Sequence, residues 1–240
     1  MLACESLQAQ NRRGRGSSSS PLSRDALEGL LPGSETVTLQ EPSVAGGLGY
    51  RAVKRTFDIC ASAVALVVLA IPMFVVSARI RHESPGPAFY SQDRVGLGGK
   101  TYKMYKFRSM TVDAESGGPR WSTTDDARVT PYGRKLRDTH FDEVPQFWNV
   151  LKGDMSLVGP RPERPMFCDA FERRIKGWHY RTLVKPGMSG LAQVVGGYSM
   201  LPRDKVLLDL EYIEHRSLCL DLKIMLRTFS ALTGGRSADR

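Results

Sequence analysis

Asp142 and Glu143 stand side by side in this 240-residue chain. Arg134, Lys135 and Arg137 precede them, and Arg161 follows in the segment Lys-Gly-Asp-Met-Ser-Leu-Val-Gly-Pro-Arg-Pro that spans 152–162. Carboxylates hold divalent cations or act as nucleophiles, and guanidinium groups match phosphate oxygens two at a time. The cluster therefore points to phosphate chemistry. An Asp-Glu pair taken alone is more often a capping pair on a solvated helix end, so the surrounding segments decide between the two readings.

The elements that must position these residues begin with Ile59–Ala78, a run of twenty residues without a charge. That length spans a bilayer's hydrocarbon core as a helix. Pro72 lies inside the run and removes a backbone donor, which predicts a kink. Arg51, Lys54 and Arg55 flank one end, and Arg79 and Arg81 the other. A spanning segment normally carries positive charge on one side; symmetric flanks fit a helix that enters the membrane and returns, and a simple span stays open as the alternative. Ser84-Pro-Gly-Pro87 then stops the helix. Ala88–Ser91 and Lys100–Met110 read as strands of a hairpin around Gly96–Gly99. Residues 114–127 read as a loop. Helical spacing over 134–151 is broken by Pro145, and 166–181 reads as a helix, 185–190 as a loop, and 204–215 and 218–232 as two further helices. The last carries Leu222, Met225, Leu226 and Phe229 on one face, a pattern of an interfacial or a core-facing helix.

Composition narrows the classes. The formal charge is +9, and residues 1–50 contribute 4 basic and 5 acidic side chains, so the excess sits in the rest of the chain. Such a field attracts polyanions, anionic lipid or phosphorylated substrates. Nucleic acid is disfavoured, since there is no zinc spacing, RNP-like strand or helix-turn-helix pattern and the apolar run fits poorly. A basic membrane scaffold would not require Asp142, Glu143 and Arg161 together. Cys4, Cys60, Cys168 and Cys219 are scattered, without zinc or redox spacing, and imply a reducing compartment. The four histidines do not fall at metal-ligand spacings. Residues 1–50, with Arg-Arg-Gly-Arg-Gly-Ser-Ser-Ser-Ser at 12–20 and no secretory signal, read as a disordered tail.

The ordered set Lys54-Arg-Thr-Phe-Asp58, the run with Pro72, Ser84-Pro-Gly-Pro87, Tyr105-Lys-Phe-Arg-Ser-Met110, Asp142-Glu-Val-Pro-Gln146, Asn149–Pro162, Lys185-Pro-Gly-Met-Ser-Gly-Leu-Ala-Gln193 and Leu220-Asp-Leu-Lys-Ile224 resembles the bacterial sugar transferase family, the monotopic phosphoglycosyl transferases. The resemblance covers residues 51–232 and implies an α+β fold. Its parts are a disordered tail (1–50), a re-entrant membrane helix (51–82), a catalytic domain (83–232) seated on the cytoplasmic face of the bacterial inner membrane, and a flexible tail (233–240). It implies transfer of a phospho-sugar from a UDP-sugar to undecaprenyl phosphate, with release of UMP. It further implies a covalent aspartyl intermediate and Mg²⁺, with Asp142 as nucleophile and Glu143 as its partner, both near the metal. Lys106, Arg108, Arg137, Arg161, Lys185 and Gln193 are the substrate-binding residues it implies; Asp154, Asp209 and Asp221 read as structural. Whether the chain forms a homodimer is left open. One departure concerns 194–198, Val-Val-Gly-Gly-Tyr, where Gly197 replaces an arginine common in the family. Arg203 is a nearby substitute, and the donor sugar stays unassigned.

Overall fold

Pro72 offers no N–H to the Val68 carbonyl, and its ring crowds that same group. The helix breaks accordingly. In the computed structural model, which describes residues 36–116, 126–196 and 200–233, α1 runs over Leu48–Val68 and α2 over Ala70–Glu83. They are bent by 59°. Leu69 is the joint: its N–H closes α1 on Ala65 (2.9 Å), and its carbonyl accepts from Met73 to start α2 (2.8 Å). Val67, Val68, Ile71 and Phe74 are exposed around the bend. Among the described residues no single helix is long and apolar enough to cross a bilayer; the bent pair taken together reaches that length and composition, as a broken span or a re-entrant loop does.

Ahead of α1, β1 (Val37–Thr38) pairs in parallel with β5 (Ile175–Lys176). Leu39 is buried in the core, and the Ala45 N–H donates to Ile213 O at 3.1 Å. The part of the expected tail between 36 and 50 is therefore tied to the core at β1, Leu39 and Ala45, because Val37 and Leu39 supply apolar surface that the composition of the whole segment hides. Residues 1–35 and 234–240 lie outside the described residues.

The expected hairpin is present as β2 (Phe89–Val95) and β3 (Thr101–Phe107), antiparallel from Phe89 opposite Phe107 to Val95 opposite Thr101. Phe107 stacks between Phe89 and Phe141 at 5.1 and 6.2 Å. It forms a small core with Val76, Ile80, Ala88 and Leu136 beneath α2. Next, α3 (Pro131–Asp138) is capped by Thr130, whose hydroxyl accepts from Gly133 N at 2.9 Å. A side chain at Gly133 would meet Ser109 O at 2.0 Å, so only glycine lets α3 lie on the end of β3.

After α3 the chain turns through His140 at a positive φ of 54°, then through the 3₁₀ turn Phe141–Glu143 into α4 (Gln146–Lys152). The helical spacing of 134–151 is thus interrupted at 139–140, ahead of Pro145, by the left-handed residue. Asn149, fully buried on α4, substitutes for a strand neighbour: its amide donates to Lys103 O (2.7 Å) and its oxygen accepts from Tyr105 N (3.0 Å). That pair fixes α4 against β3.

The second half contains β4 (Ser156–Val158), parallel to β6 (Gly187–Ser189). Thus 185–190 is partly strand rather than loop. Between them α5 covers Pro165–Arg174 and stops seven residues short of the expected end. Ile175 and Lys176 are taken up by β1, and Gly177, at φ 95°, turns the chain into the 3₁₀ segment Trp178–Leu183. The helices α6 (Leu191–Gly196), α7 (Pro202–His215) and α8 (Leu218–Thr233) follow. Phe167, Phe171, Trp178, Val206, Ile213 and Ile224 fill the core they share with α5.

This core also holds charge. Glu163 pairs with Lys205 and with Arg94 (3.5 Å), and Arg181 pairs with Asp209 (2.6 Å). Burial opposes the Glu163 charge, but Lys205, Arg181 and Arg94 outweigh it and push the carboxyl down to about 2. An unfolded glutamate titrates near ~4.3. The group therefore adds stability, about 3 kcal/mol, that is complete above the unfolded value and is lost as pH falls through the folded one. Unfolding followed by tryptophan fluorescence is expected to show stability dropping between pH 4 and 2 in the native chain. Glu163→Gln should flatten that slope and start from a lower value at pH 7.

Candidate active site

The His140 turn and the Asn149 lock bring the 3₁₀ turn Phe141–Glu143 against β3, and this places Glu143 opposite Lys106. Lys106 Nζ donates to Glu143 Oε1 at 2.7 Å. From the other side Arg161 donates through Nη2 to the same oxygen at 2.6 Å, with Nη1 at 3.4 Å from Oε2. Burial works against the Glu143 charge, but Arg161 and Lys106 overcome it and hold the carboxyl well below the usual carboxylate range. Glu143 is therefore a fixed anion.

Asp142 is treated differently. It is 7% exposed, and among the described residues no hydrogen bond or ion pair closes on its carboxylate. Burial lifts its pKa; Lys106 pulls the other way, the Glu143 charge adds to the rise, and Arg137 and Arg161 oppose it. A buried carboxylate with cations near it but none in contact retains its lone pairs for a ligand or for attack on an electrophile. Arg137, half-buried on α3, is aimed by its Nε–H donation to Ser109 Oγ at 2.9 Å.

Lys106, Arg137, Asp142, Glu143 and Arg161 are thus brought together. Arg108 is not. β3 ends at Phe107, and the Arg108 side chain turns the other way, donating to the Pro85, Ser84 and Ile80 carbonyls at 2.6, 2.7 and 3.4 Å and to Ser84 Oγ at 3.0 Å. It fastens the end of α2, where helix carbonyls lack partners. Lys185 also lies apart, within the electrostatic reach of Arg55, Asp58 and Asp154; burial first, then Arg55, depress its pKa. Gln193 donates to Met188 O at 3.0 Å, and its oxygen is buried without a partner. Neither makes a hydrogen bond or ion pair with the dyad. Gly197 lies outside the described residues, and Arg203 is exposed on the first turn of α7.

Asp154 and Asp209 are paired with Lys152 (3.0 Å) and Arg181 (2.6 Å). Asp221 accepts from Lys54 and Tyr50, both at 2.8 Å, and from Tyr212 at 2.7 Å. A cleft of about 290 Å³, including open solvent, is lined by Val95, Pro160, Arg161, Trp178 and Arg181 but by neither member of the dyad. It backs the arginine and does not open on Asp142.

Residues 49–235 match the bacterial sugar transferase family. The chain belongs to that family. Similar proteins include the UDP-N-acetylgalactosamine-undecaprenyl-phosphate N-acetylgalactosaminephosphotransferase of Aeromonas hydrophila, 43% identical over 192 residues. The UDP-glucose:undecaprenyl-phosphate glucose-1-phosphate transferases of Caulobacter vibrioides and Escherichia coli are each 38% identical, over 208 and 183 residues. These alignments take in 79%, 85% and 74% of this chain, but 45%, 78% and 39% of the relatives, so two of the three relatives extend well beyond the shared part.

Within this bacterial sugar transferase, Arg94 and Arg181 are structural supports of the site that the sequence left unmarked, and Asn149, which opens one of the quoted motifs, is a support whose role the sequence did not show. Arg108 supplies a direct test of position against motif. Arg108→Lys is expected to lower stability by about 2–4 kcal/mol, since a lysine cannot reach the Ser84 and Pro85 carbonyls together. Thermal unfolding of the full chain should show this, while binding of a phosphate ligand at the dyad changes less than about twofold. Weakened binding with unchanged melting would return Arg108 to the site.

Proposed function

We propose that the protein transfers a sugar phosphate from a UDP-sugar to undecaprenyl phosphate, releasing UMP and starting assembly of a surface polysaccharide. The observation that supports this most is the bare, buried Asp142 carboxylate beside Glu143, which Lys106 and Arg161 hold as a fixed anion. The names of the Aeromonas and Caulobacter relatives supply the substrate class; they differ in sugar, so the sugar is not assigned.

In the proposed reaction an Asp142 carboxylate oxygen attacks the β-phosphorus of the UDP-sugar. The bond from that phosphorus to the bridging oxygen breaks, and the electron pair leaves with UMP. The acceptor's phosphate oxygen then attacks the same phosphorus, the bond to Asp142 breaks, and the carboxylate is regenerated with the sugar diphosphate now on the lipid. No proton is required at Asp142, because an ionised carboxylate is already a nucleophile. Lys106, Arg137 and Arg161 lower the cost of bringing a diphosphate anion against a carboxylate, and their fixed positions favour in-line approach.

Mg²⁺ fits the residues present. Asp142 is a hard oxygen donor without a hydrogen bond, and magnesium takes one or two carboxylates with substrate phosphates and water completing its shell. Among the described residues no group of three or more Asp, Glu, His or Cys side chains could hold a metal on its own. A magnesium ion held by Asp142 and Glu143 would supply charge neutralisation to the diphosphate.

The acceptor is a lipid, and the bent pair α1–α2 presents the apolar surface that would seat the protein on a membrane, with Val67, Ile71 and Phe74 outermost. On α8, Leu222, Leu226 and Phe229 form an exposed stripe. We read α1–α2 as re-entrant, on the cytoplasmic face of the inner membrane, since charge flanks both ends and both limbs join the same domain.

UMP release from a panel of UDP-sugars, measured on membranes carrying the protein, is expected for one or a few sugars and should stop on chelation of magnesium. Asp142→Asn should lower turnover by about a thousandfold or more while the protein remains in the membrane fraction. Near-normal turnover of that variant would remove Asp142 from the chemistry.

A further inference from the structure

Arg161 reaches Glu143 from a segment without regular structure, between β4 and α5. Pro160 and Pro162 restrict φ on either side, but ψ at 160–162 is not fixed by the rings. A long guanidinium arm on such a segment would sweep over several ångströms, so something else must set where it points. Three backbone groups show what does. Arg161 O accepts from Arg181 Nη2 at 2.8 Å, Pro162 O accepts from Arg94 Nη1 at 3.0 Å, and Glu163 O accepts from Val95 N at 2.9 Å. With Pro160 O, which accepts from Gly187 N at 3.0 Å, four consecutive carbonyls are held, and the two in the middle, at Arg161 and Pro162, by guanidinium groups.

Arg181 is itself immobile. Its side chain is 5% exposed, its Nε donates to Asp209 Oδ2 at 2.6 Å, and its guanidinium lies 4.5 Å from the centre of the Trp178 ring. Burial opposes its charge, but the carboxylates of Asp209 and Glu163 keep it protonated. Stability alone does not explain so many buried charges, because apolar replacements of buried ion pairs are often as stable or more so. Geometry does explain them: one planar fork joins Asp209 in the centre of α7 to the main chain of the residue whose side chain clamps Glu143.

We propose that Arg181 is a positioning residue for the transfer, acting through the Arg161 main chain to place the Arg161 guanidinium between Glu143 and the incoming diphosphate, with Arg94 as the second holder of the same segment. The inference rests on the sugar-phosphate transfer proposed above. It makes Arg181 part of the function without contact with any substrate. A lysine at 181 keeps the charge and can face Asp209 or the Arg161 carbonyl, but a single ammonium cannot hold both in the geometry of the fork.

The test is a double-mutant cycle in full-length protein, using wild type, Arg181→Lys, Arg161→Ala and the double variant. For each, kcat/KM for UMP release is read with the best UDP-sugar, the melting temperature is taken alongside, and the affinity for UDP is titrated where turnover of Arg161→Ala falls below detection. Arg181→Lys is expected to lower kcat/KM, or UDP affinity, by about ten- to a hundredfold when Arg161 is present. It should change either by less than about twofold when the Arg161 side chain is gone. Equal losses in both backgrounds, or an unimpaired Arg181→Lys, would overturn the proposal. Arg94→Lys, run through the same cycle, decides the matter if Arg181→Lys does not fold. A wild-type chain that releases UMP from no UDP-sugar would instead defeat the proposed reaction, and would leave the cycle to be read by UDP affinity alone.

Discussion

The Glu143 carboxylate, gripped by Lys106 from the hairpin and by Arg161 from the segment after β4, is the contact on which the site depends. It joins the two halves of the chain at one pair of oxygens. Because both cations are committed to Glu143, the adjacent Asp142 is left buried, without a hydrogen bond and surrounded by positive charge that does not touch it. Had either cation turned to Asp142, that carboxylate would be a salt-bridged anion of the kind Glu143 is. The unequal treatment of two neighbouring carboxylates follows from which of them the fixed cations reach, a division of roles set by environment.

Much of the remaining structure keeps that arrangement in place. Asn149 locks the helix after the dyad to the strand that carries Lys106. Arg55, on the first limb of the bent pair, donates to the Val150 and Leu151 carbonyls at 2.6 and 2.9 Å, and Asp58 accepts from Leu157 N at 3.1 Å. The first limb of the apolar helix pair is therefore fastened to the helix that follows the dyad and to β4. On the other side Asp221 gathers Lys54, Tyr50 and Tyr212, binding α8 to the same limb. The proposed reaction, which would join a soluble nucleotide sugar to a lipid phosphate, needs such a connection, since its carboxylate would have to stand at a defined height above the lipid.

The grouping of the dyad with Arg137 and Arg161 came from the family resemblance, since an Asp-Glu pair alone reads as a capping pair, and the fold does bring these four side chains together. The broken helix was legible in the sequence itself, since Pro72 has one steric consequence wherever it sits in a helix. Lys106 and Arg108 were not separable, because residues two apart on a strand share a face and no sequence feature showed that β3 ends between them. Pairing across distance was equally hidden. Ile175 and Lys176 continue a helical pattern until β1, more than a hundred residues earlier, takes their hydrogen bonds. Arg94 and Arg181 look like ordinary surface charge until the fold buries them against the carbonyls of the Arg161 segment.

The central claim is that Asp142 carries the phospho-sugar between donor and acceptor. Intact-protein mass spectrometry after brief exposure to the cognate UDP-sugar, with no lipid acceptor present, tests it most directly. A carboxyl-bound intermediate requires a mass increase equal to one sugar phosphate, located on the peptide containing Asp142, present with Glu143 intact and discharged when undecaprenyl phosphate is added. A protein that releases UMP in a single step only when acceptor is present, with no adduct on that peptide, would contradict it.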